Sequence, residues 1–314
     1  MTGRVTDPVL VIGSRGSALA LWQARHIAEK LGALGAQTRI EVIQTSGDKI
    51  QDVPLSQVGG KALFTKEIEE ALLAGKIDLA VHSLKDVPTE LPAGLTLSAI
   101  PEREEPRDAL IGLTLADLKA GTRVGTSSLR RSAQLLAYNP GLSIQMLRGN
   151  VDTRLRKLDE GQYDAIVLAA AGLRRLGWER RIRELVPPAV ICPAVGQGAL
   201  AIETRDDGGA AQALVRRLDD PATRATVTAE RALLRKLGGG CQVPVGAHAE
   251  LAHSSLGGGL RLQAVVASPD GTRLVRGELS GTDSEDVGAR LGEQLLEQGA
   301  RGILAQVYAS SLAK

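Results

Sequence analysis

Short apolar runs alternate with helical patterns through the first two thirds of the chain, and this alternation restricts the fold more than any other feature. Val9–Ile12 is predicted as a buried strand, and Ser17–Leu34 as the helix that follows it. A second series begins near Asp108, with a strand at Thr122–Gly125 and a helix from Ser128. Alternating strands and helices are typical of parallel sheets covered by helices. The sequence therefore predicts two α/β domains.

The remaining elements of these two domains follow the same order. Further strands are predicted at Arg39–Gln44, Asp78–His82, Ser143–Leu147 and Ala165–Leu168, and further helices at Thr65–Ala74 and from Val151. Ala199–Thr204 is predicted as a strand that returns to the first domain.

Beyond Pro221 the pattern changes, which predicts a small α+β third domain. Its predicted elements are a helix at Thr223–Leu237, strands near Val245–Leu251, Leu260–Ala267 and Thr272–Leu279, and a helix from about Ser284 to Gln298. The predicted boundaries are 1–101 with 197–217 for the first domain, 102–196 for the second, and 218–314 for the third.

The composition predicts a soluble protein of the cytoplasm. Hydrophobic residues make up 43% of the chain and charged residues 24%, as in ordinary globular proteins. The first residues lack the apolar run of a signal peptide, and no apolar run reaches the roughly 18 residues of a membrane span. Cys192 and Cys241 are the only cysteines, so no disulfide framework is expected.

Arginine dominates the basic residues, with 28 of the 38 Lys and Arg side chains. Its planar fork binds carboxylates and phosphates in bidentate fashion, although a GC-rich or thermophilic source would also favour Arg over Lys. Aromatic residues are 2% of the chain and the net charge is only +2, which argues against a nucleic-acid-binding protein. Small anions are therefore the expected partners.

Two of the arginines stand in the first turn of a predicted helix. Arg130 and Arg131 follow Thr126–Ser128, where Ser127 or Ser128 is a natural helix cap. Cations at a helix start oppose the helix dipole, so they need a reason to be there. Together with the hydroxyl groups they predict an anion site.

Other arginines repeat this placement. Arg148 and Arg15 each follow a predicted strand and precede a helix, and Arg154 lies one turn into the helix after Arg148. Open α/β sheets bind ligands at these strand ends. The sequence therefore predicts a ligand that carries several negative groups along its length.

The segment His82–Pro88 (HSLKDVP) brings an acid and a base to the same region. It follows the apolar run Leu79–Val81, so Lys85 and Asp86 are expected to leave a strand end for a cleft. In a cleft, Asp86 can hold an N–H donor and stabilise a developing cation. His82 is interpreted as a packed residue at the strand end. No metal site is predicted, and the glycine-rich stretches match no nucleotide-binding loop.

Cys241 lies directly after three glycines, Gly238–Gly240, at the end of the predicted helix Thr223–Leu237. The glycines leave the backbone free to place the thiol in a cleft. A helix C-terminus does not lower a thiol pKa, so a redox or protease thiol is disfavoured. A point of covalent attachment fits better, and a free cysteine beside a glycine-rich helix cap is the alternative.

Seven segments, taken in chain order, resemble the porphobilinogen deaminase family, whose members are also called hydroxymethylbilane synthases. They are Ile12–Arg15 with Ala20–Ala24, Gly60–Phe64, His82–Pro88, Gly125–Arg131, Leu147–Leu155, Pro193–Glu203 and Gly238–Gly246. The resemblance spans residues 12–246, and the last ~65 residues are covered only by architecture and length.

The resemblance implies both a fold and an activity. Family members have three domains, and two of them resemble the halves of type II periplasmic binding proteins. A dipyrromethane cofactor would be held by a thioether at Cys241. The enzyme would join four porphobilinogen molecules head to tail, release ammonia, and free hydroxymethylbilane by hydrolysis. The acetate and propionate groups of each pyrrole would supply the anion that the arginines predict, and a monomer is expected.

The resemblance also implies roles for individual residues. Asp86, Lys85 and Arg15 would be catalytic. Cys241, Ser83, Lys85, Asp86, Thr126, Ser127, Ser128, Arg130 and Arg131 would bind the cofactor. Arg15, Ser17, Gln23, Phe64, Arg148, Asn150, Arg154 and Arg175 would bind the substrate or the growing chain.

The sequence departs from the family pattern at Gln57, where many relatives have Lys, so a strict need for that Lys is doubtful. The polar segment Ser46–Gly60 is interpreted as a lid over the cleft. Besides the nucleic-acid hypothesis, the alternative function is a non-catalytic anion-binding protein of the periplasmic type. That alternative would not explain the Cys241 loop or the Asp86 segment.

Overall fold

A computed structural model describes residues 9–49, 65–238, 243–252 and 259–312. The strands are β1 Leu10–Ser14, β2 Thr38–Val42, β3 Leu79–Ser83, β4 Leu95–Ala99, β5 Asp108–Ile111, β6 Arg123–Gly125, β7 Ser143–Gln145, β8 Ala165–Ala169, β9 Glu184–Leu185, β10 Leu200–Arg205, β11 Val245–Ala252, β12 Gly259–Ala267 and β13 Leu274–Gly281. The helices are α1 Ala18–Ala33, α2 Ser46–Lys49, α3 Lys66–Leu73, α4 Leu129–Tyr138, α5 Val151–Asp159, α6 Ala170–Arg175, α7 Ala210–Arg216, α8 Pro221–Lys236, α9 Ser284–Leu295 and α10 Arg301–Leu312.

The first domain is built on a sheet with the strand order β2-β1-β3-β10-β4. β1 pairs in parallel with β2 and β3, whereas β10 runs antiparallel to β3 and β4. Helix α1 covers one face with Ala24, Ile27 and Leu31, which pack against Leu79 and Val81 of β3. Burial of such apolar side chains stabilises a fold by about 1.5–3 kcal/mol each.

The second domain repeats this arrangement in the order β7-β6-β8-β5-β9. β6 is parallel to β7 and β8, and β5 is antiparallel to β8 and β9. The two predicted α/β domains are confirmed, but the predicted parallel sheets are mixed, since β10 and β5 are each antiparallel to both of their neighbours. β5 brings the chain into the second domain, and β10 brings it back to the first.

The third domain is α+β, as predicted. Its antiparallel sheet β11-β12-β13 packs against helices α8, α9 and α10. Leu233 of α8, Leu262 of β12, Leu291 of α9 and Ile303 of α10 are fully buried in its core. The C-terminal helix α10 and the strands β4 and β9 were not predicted. The residue boundaries of the three domains stay a prediction.

One buried ion pair joins the third domain to the two segments that connect the first and second domains. Arg103, on the outgoing segment, contacts Glu230 of α8 at 2.7 Å and donates to the Gln197 carbonyl of the returning segment at 2.9 Å. Glu230 also accepts from the backbone N–H groups of Gly196 and Ala249. A buried carboxylate with all these donors is well compensated. Glu230 therefore fixes the third domain at the hinge between the other two.

Of the predicted lid Ser46–Gly60, residues 50–60 lie outside the described residues. Its first four residues form α2, and the Ser46 backbone N–H donates to Glu67 at 2.8 Å. In the part of the chain that is described, no helix is long and apolar enough to cross a membrane.

Gly288 of α9 lies where α9 and α8 pack closely. A Cβ at this position would meet the Ala229 carbonyl oxygen at 2.2 Å and the Ala232 Cβ at 2.6 Å. We expect Gly288→Ala to destabilise the protein by about 1–3 kcal/mol through overpacking. Urea unfolding measures this. Gly32→Ala in α1 is the control, since nothing lies within 4 Å of its Cβ, and there stability should hold or rise. Equal effects at the two sites would contradict the close α8–α9 packing.

Candidate active site

Strand β3 ends in a short turn that presents two charged side chains. This turn, Leu84–Asp86, is one turn of 3₁₀ helix, and we call it the Lys85–Asp86 turn. Leu84 anchors it, because its side chain is buried and its backbone N–H donates to the Ala199 carbonyl at 3.0 Å. Gly196 has a φ of 71°, and a Cβ there would meet Leu84 at 2.8 Å. With Leu84 fixed, Lys85 is left partly buried and Asp86 exposed.

Helix α1 supports the residue that precedes this turn. Gln23 is buried on α1, and its amide donates to the Ser83 hydroxyl at 2.9 Å. Ser17 caps α1, and its hydroxyl accepts from the Ala20 backbone N–H at 3.3 Å. Both residues were predicted to bind substrate, and each also has this internal contact. Arg15 follows β1 directly and is partly buried.

In the second domain, the two arginines at the start of α4 share a buried acidic partner. Arg130 contacts Asp108 at 2.6 Å, and its Nη1 also donates to the Cys192 carbonyl at 2.7 Å. Arg131 contacts Asp108 at 2.7 Å and donates to the Val167 carbonyl at 3.0 Å. Their assignment to cofactor carboxylates stays a prediction. The structure adds an internal partner that the sequence analysis did not identify.

Asp108 is fully buried at the start of β5. Burial disfavours its ionised form, but the guanidinium groups of Arg130 and Arg131 outweigh this effect and hold the pKa of Asp108 well below its usual value. The Gln197 amide adds a hydrogen bond at 3.0 Å from the returning segment. Asp108 is therefore an ionised centre between β5, α4 and the segment back to the first domain.

Lys85 of the first domain lies within electrostatic range of this group. Burial lowers the pKa of Lys85 to about 8, while Asp86 acts in the opposite direction. The positive charge of Arg131 contributes to the decrease. Asp108 acts together with Asp86, but a buried lysine with arginines nearby is still unfavourable, and anionic groups of a ligand would stabilise its charge.

Arg148 and Arg154 extend the positive region beyond the second sheet. Burial and the positive charges of Arg131 and Arg148 lower the pKa of Arg154 to about 10. Asp86 acts on the Arg154 pKa in the opposite direction, so it also lies near. Arg154 Nε donates to the Gly149 carbonyl at 2.7 Å, which orients its guanidinium. The structure thus brings Lys85, Asp86, Arg131, Arg148 and Arg154 into one charged cluster.

The hydroxyl residues before α4 lie beside this cluster. The Ser127 hydroxyl donates to the Leu147 carbonyl at 2.9 Å, next to Arg148. Ser128 is the N-cap of α4, and Thr126 is buried. Asn150 occupies the N-cap position of α5 and is exposed. The Ser127 hydrogen bond joins the segment after β6 to the segment after β7.

Arg175, at the end of α6, is directed to the segment between the domains. Its guanidinium donates to the Gly198 carbonyl at 2.6 Å, and burial lowers its pKa to about 10. Phe64, Gln57 and Cys241 lie outside the described residues, so their predicted roles stay predictions. The other cysteine, Cys192, is buried, and burial raises its thiol pKa to about 12, which makes it unreactive.

Arg231 is a site residue that the sequence analysis missed. It projects from α8 of the third domain and donates to the Pro88 carbonyl at 2.6 Å and to the Val87 carbonyl at 3.2 Å. These carbonyls directly follow Asp86. Val227, one helical turn earlier on α8, packs with Leu84. The sequence contains one signal for this role: Arg231 is four residues after Val227, so both lie on one face of α8. The sequence does not show what that face contacts.

Two α/β domains with a cluster of cations and one exposed carboxylate at their strand ends belong to the class of open α/β proteins, which bind ligands at such strand ends. The chain belongs to the porphobilinogen deaminase family. Residues 10–213 match the model of the "Porphobilinogen deaminase, dipyromethane cofactor binding domain", and residues 224–297 match that of the "Porphobilinogen deaminase, C-terminal domain".

Two curated relatives cover nearly the whole chain. Porphobilinogen deaminase of Syntrophobacter fumaroxidans is 51% identical over 311 residues, covering 97% of this chain and 99% of the relative. Porphobilinogen deaminase of Thiobacillus denitrificans is 54% identical over 302 residues, covering 94% and 97%.

Two solved structures of periplasmic binding proteins resemble the chain loosely. A TRAP periplasmic solute binding protein from Desulfovibrio salexigens is 11% identical with a TM-score of 0.40, covering 68% of this chain and 72% of that one. A periplasmic substrate-binding protein of an ABC transporter from Coxiella burnetii is 15% identical with a TM-score of 0.42, covering 71% and 97%. The fold assignment rests on the sheet topology described above.

The buried Asp108 predicts a large and pH-dependent effect of Asp108→Asn. Losing the carboxylate leaves two buried guanidinium groups uncompensated, which typically costs about 3–5 kcal/mol. Because the folded-state pKa of Asp108 is lowered, its contribution is complete above its ordinary pKa of about 4 and is lost as pH falls. Urea unfolding should therefore show a large loss near neutral pH and a smaller loss in acid.

The control for this variant is Asp164→Asn, which removes the carboxylate of the exposed Arg123–Asp164 pair. It should lose much less stability, because exposed pairs are screened by solvent. A loss at Asp108 no larger than at Asp164 would contradict the proposed centre.

Arg231→Leu should release the two carbonyls after Asp86 while keeping the aliphatic contact. If the Lys85–Asp86 turn is part of the active site, turnover should fall about tenfold or more with little change in stability. Steady-state kinetics and thermal unfolding measure the two effects. The control is Arg235→Leu, also on α8, which breaks an exposed pair with Glu285 of α9. It should leave turnover unchanged. Equal turnover of the two variants would exclude a positioning role.

Proposed function

We propose that this protein joins four porphobilinogen molecules head to tail, with release of ammonia, and frees the linear tetrapyrrole hydroxymethylbilane. The observation that carries this proposal is the cluster of Lys85, Arg131, Arg148 and Arg154 around the exposed Asp86. Membership in the porphobilinogen deaminase family supports it. The enzyme would act as a monomer in the cytoplasm.

The charged residues fit a dipyrromethane cofactor. Burial and neighbouring cations lower the pKa of Lys85 and Arg154, and the acetate and propionate groups of the cofactor would stabilise their charged forms. Charge-assisted hydrogen bonds of this kind contribute about 1.5–3 kcal/mol each. In this proposal Cys241 holds the cofactor covalently through a thioether. When bound, the cofactor would supply the pyrrole carbon to which the first substrate is joined.

The residues of the chain would bind and orient the reacting pyrroles. Asp86 is a carboxylate at the end of a rigid turn, so it can accept hydrogen bonds from pyrrole N–H groups and stabilise positive charge that develops as ammonia leaves. Lys85 would bind a cofactor carboxylate. Arg15, Arg148 and Arg154 would bind carboxylates of the substrate and of the growing chain.

The remaining predicted contacts belong to the same proposal. Ser83, Thr126, Ser127, Ser128, Arg130 and Arg131 are proposed to bind the cofactor, and Ser17, Gln23, Phe64, Asn150 and Arg175 the substrate. Where these side chains have internal hydrogen bonds, the proposal requires that their remaining donors face the ligand.

The intact mass of the denatured protein tests the cofactor directly. We expect an excess equal to two linked pyrrole units that is absent from Cys241→Ser. An unmodified mass is followed by addition of porphobilinogen, which should then add mass at Cys241. No added mass in either experiment would overturn the proposal and favour the non-catalytic anion-binding protein.

Asp86→Asn tests the proposed chemistry, because the amide keeps the shape and removes the charge. The variant should fold and carry the cofactor, yet lose about 10²–10³-fold in turnover of porphobilinogen. Glu90→Gln, an exposed change four residues further on, is the control and should be as active as the unmodified protein. Near-normal turnover by Asp86→Asn would remove Asp86 from its proposed role.

A further inference from the structure

Three ionisable side chains are buried between helix α3 and the face of the first sheet that lies opposite α1. They lie directly before the Lys85–Asp86 turn. They are His82 of β3, Glu203 of β10 and Glu69 of α3, with exposed fractions of 7%, 0% and 5%. None of them has a role in the proposed chemistry. Charged groups so deeply buried are expected only when they compensate one another.

The pairing of β3 with β10 brings His82 and Glu203 together. His82 lies opposite Ala201, and Glu203 lies opposite Ala80, so the two side chains are diagonal neighbours on one face. His82 Nε2 is 3.0 Å from Glu203 Oε2. A carboxylate only accepts hydrogen bonds, so Nε2 carries the proton in this contact. The contact ties the end of β3 to the returning strand.

One oxygen of each glutamate lacks a donor. Among the described residues, no hydrogen-bond partner reaches Glu203 Oε1 or Glu69 Oε1. The helix that carries Glu69 packs its apolar residues Ile68 and Leu72 beside Ala80 of β3, so the surroundings are apolar. Two ionised carboxylates would repel each other here, whereas a shared proton would satisfy both oxygens.

The charged groups around Glu69 favour its protonated form. Burial raises the pKa of Glu69, and the negative charge of Glu203 raises it further, while the Thr65 hydroxyl and His82 oppose this. Glu70, next on α3, contributes a further negative charge.

The other strands near α3 offer little compensation. β1 and β4 carry no ionisable side chain. Arg205, the one cation of β10, donates to the Leu72 carbonyl of α3 and to the Ile77 carbonyl before β3, and it pairs with Asp78 and Asp207.

We propose that Glu69 carries a proton and donates it to Glu203, so that Glu69, Glu203 and His82 form one hydrogen-bonded cluster that positions the Lys85–Asp86 turn. Removing the proton would place two negative charges together and loosen the tie between β3 and β10. Since Ser83 and the turn continue β3, Asp86 would lose its alignment. All three are positioning residues, and this consequence for turnover rests on the proposed function.

Glu69→Gln tests the proton, because the amide has the shape of the protonated acid and can donate to Glu203. We expect wild-type turnover and KM from Glu69→Gln, while Glu69→Ala should lose about ten- to hundredfold in kcat with little change in KM. Glu70→Gln on the same helix is the control, since Glu70 is exposed and pairs only loosely with Lys66 at 4.0 Å. If Glu69→Gln is as impaired as Glu69→Ala, the proposal is wrong.

The pH dependence of stability gives a second readout that needs no substrate. Because the folded-state pKa of Glu69 is raised, the stability that its proton provides is present at low pH and is lost as pH rises through that pKa. Glu69→Gln cannot lose this proton. The Tm of Glu69→Gln relative to that of the unmodified protein should therefore rise by about 2–4 °C as the pH is raised from about 4, the ordinary glutamate pKa value, to neutral and above. A difference that does not vary with pH would overturn the proposal.

The contact between the two glutamates is tested by combining Glu69→Gln with Glu203→Gln. In Glu203→Gln the new amide can donate to Glu69, so the two changes should not act independently. We expect the fold-loss in kcat of the double variant to differ by about threefold or more from the product of the fold-losses of the two single variants. Independent effects would show that the glutamates do not share a proton. If the unmodified protein does not consume porphobilinogen, the proposed function fails, while the pH dependence of stability still decides the shared proton.

Discussion

The buried carboxylate of Asp108 is the interaction on which the arrangement of the second domain depends. It lies at the first residue of β5, where the chain enters that domain, and it pairs with both arginines at the start of α4. The Gln197 amide reaches it from the segment that leaves the domain. A buried carboxylate requires several donors, and here they come from three separate parts of the chain. Asp108 thus fixes the relative positions of β5, α4 and the returning segment.

Glu230 performs a comparable task for the third domain. It accepts from Arg103 and from two backbone N–H groups of different segments, and Arg231 beside it binds the carbonyls after Asp86. Helix α8 therefore contacts both the hinge and the Lys85–Asp86 turn. Arg231 thus places the third domain with respect to Asp86 through contacts within the chain. Cys241, the proposed attachment point, follows α8 by a few residues in the sequence.

Local signals in the sequence predicted much of this fold. Ser17 and Ser128 were expected near helix starts, and both are N-caps whose hydroxyl groups accept from the following turn. Such contacts involve residues three positions apart, so a single sequence contains them. The strands before Arg148 and Asp86 were predicted from short apolar runs, which are also local in the sequence. The direction of β10 was not predicted, because strand direction depends on the path of the whole chain.

The long-range partners of the charged residues could not be predicted either. Arg130 and Arg131 were interpreted as an anion site because cations at a helix start are unfavourable alone. Asp108, more than 20 residues earlier, supplies an internal anion, and no pattern in the sequence connects them. Arg231 was missed for the same reason. In each case the sequence indicated that a charge needed compensation, and only the fold showed which group provides it.

The buried cations differ in how far the fold itself compensates their charge. Arg103 and Arg130 have buried carboxylates within 2.7 Å, so the fold itself balances them. For Lys85 and Arg154, burial and neighbouring cations outweigh the nearby carboxylates, and their pKa values fall to about 8 and 10. A protein keeps buried cations close together only at a cost in stability, and a bound anion would return that stability through linkage. The concentration of buried cations around Asp86 therefore supports this position for the proposed polycarboxylate.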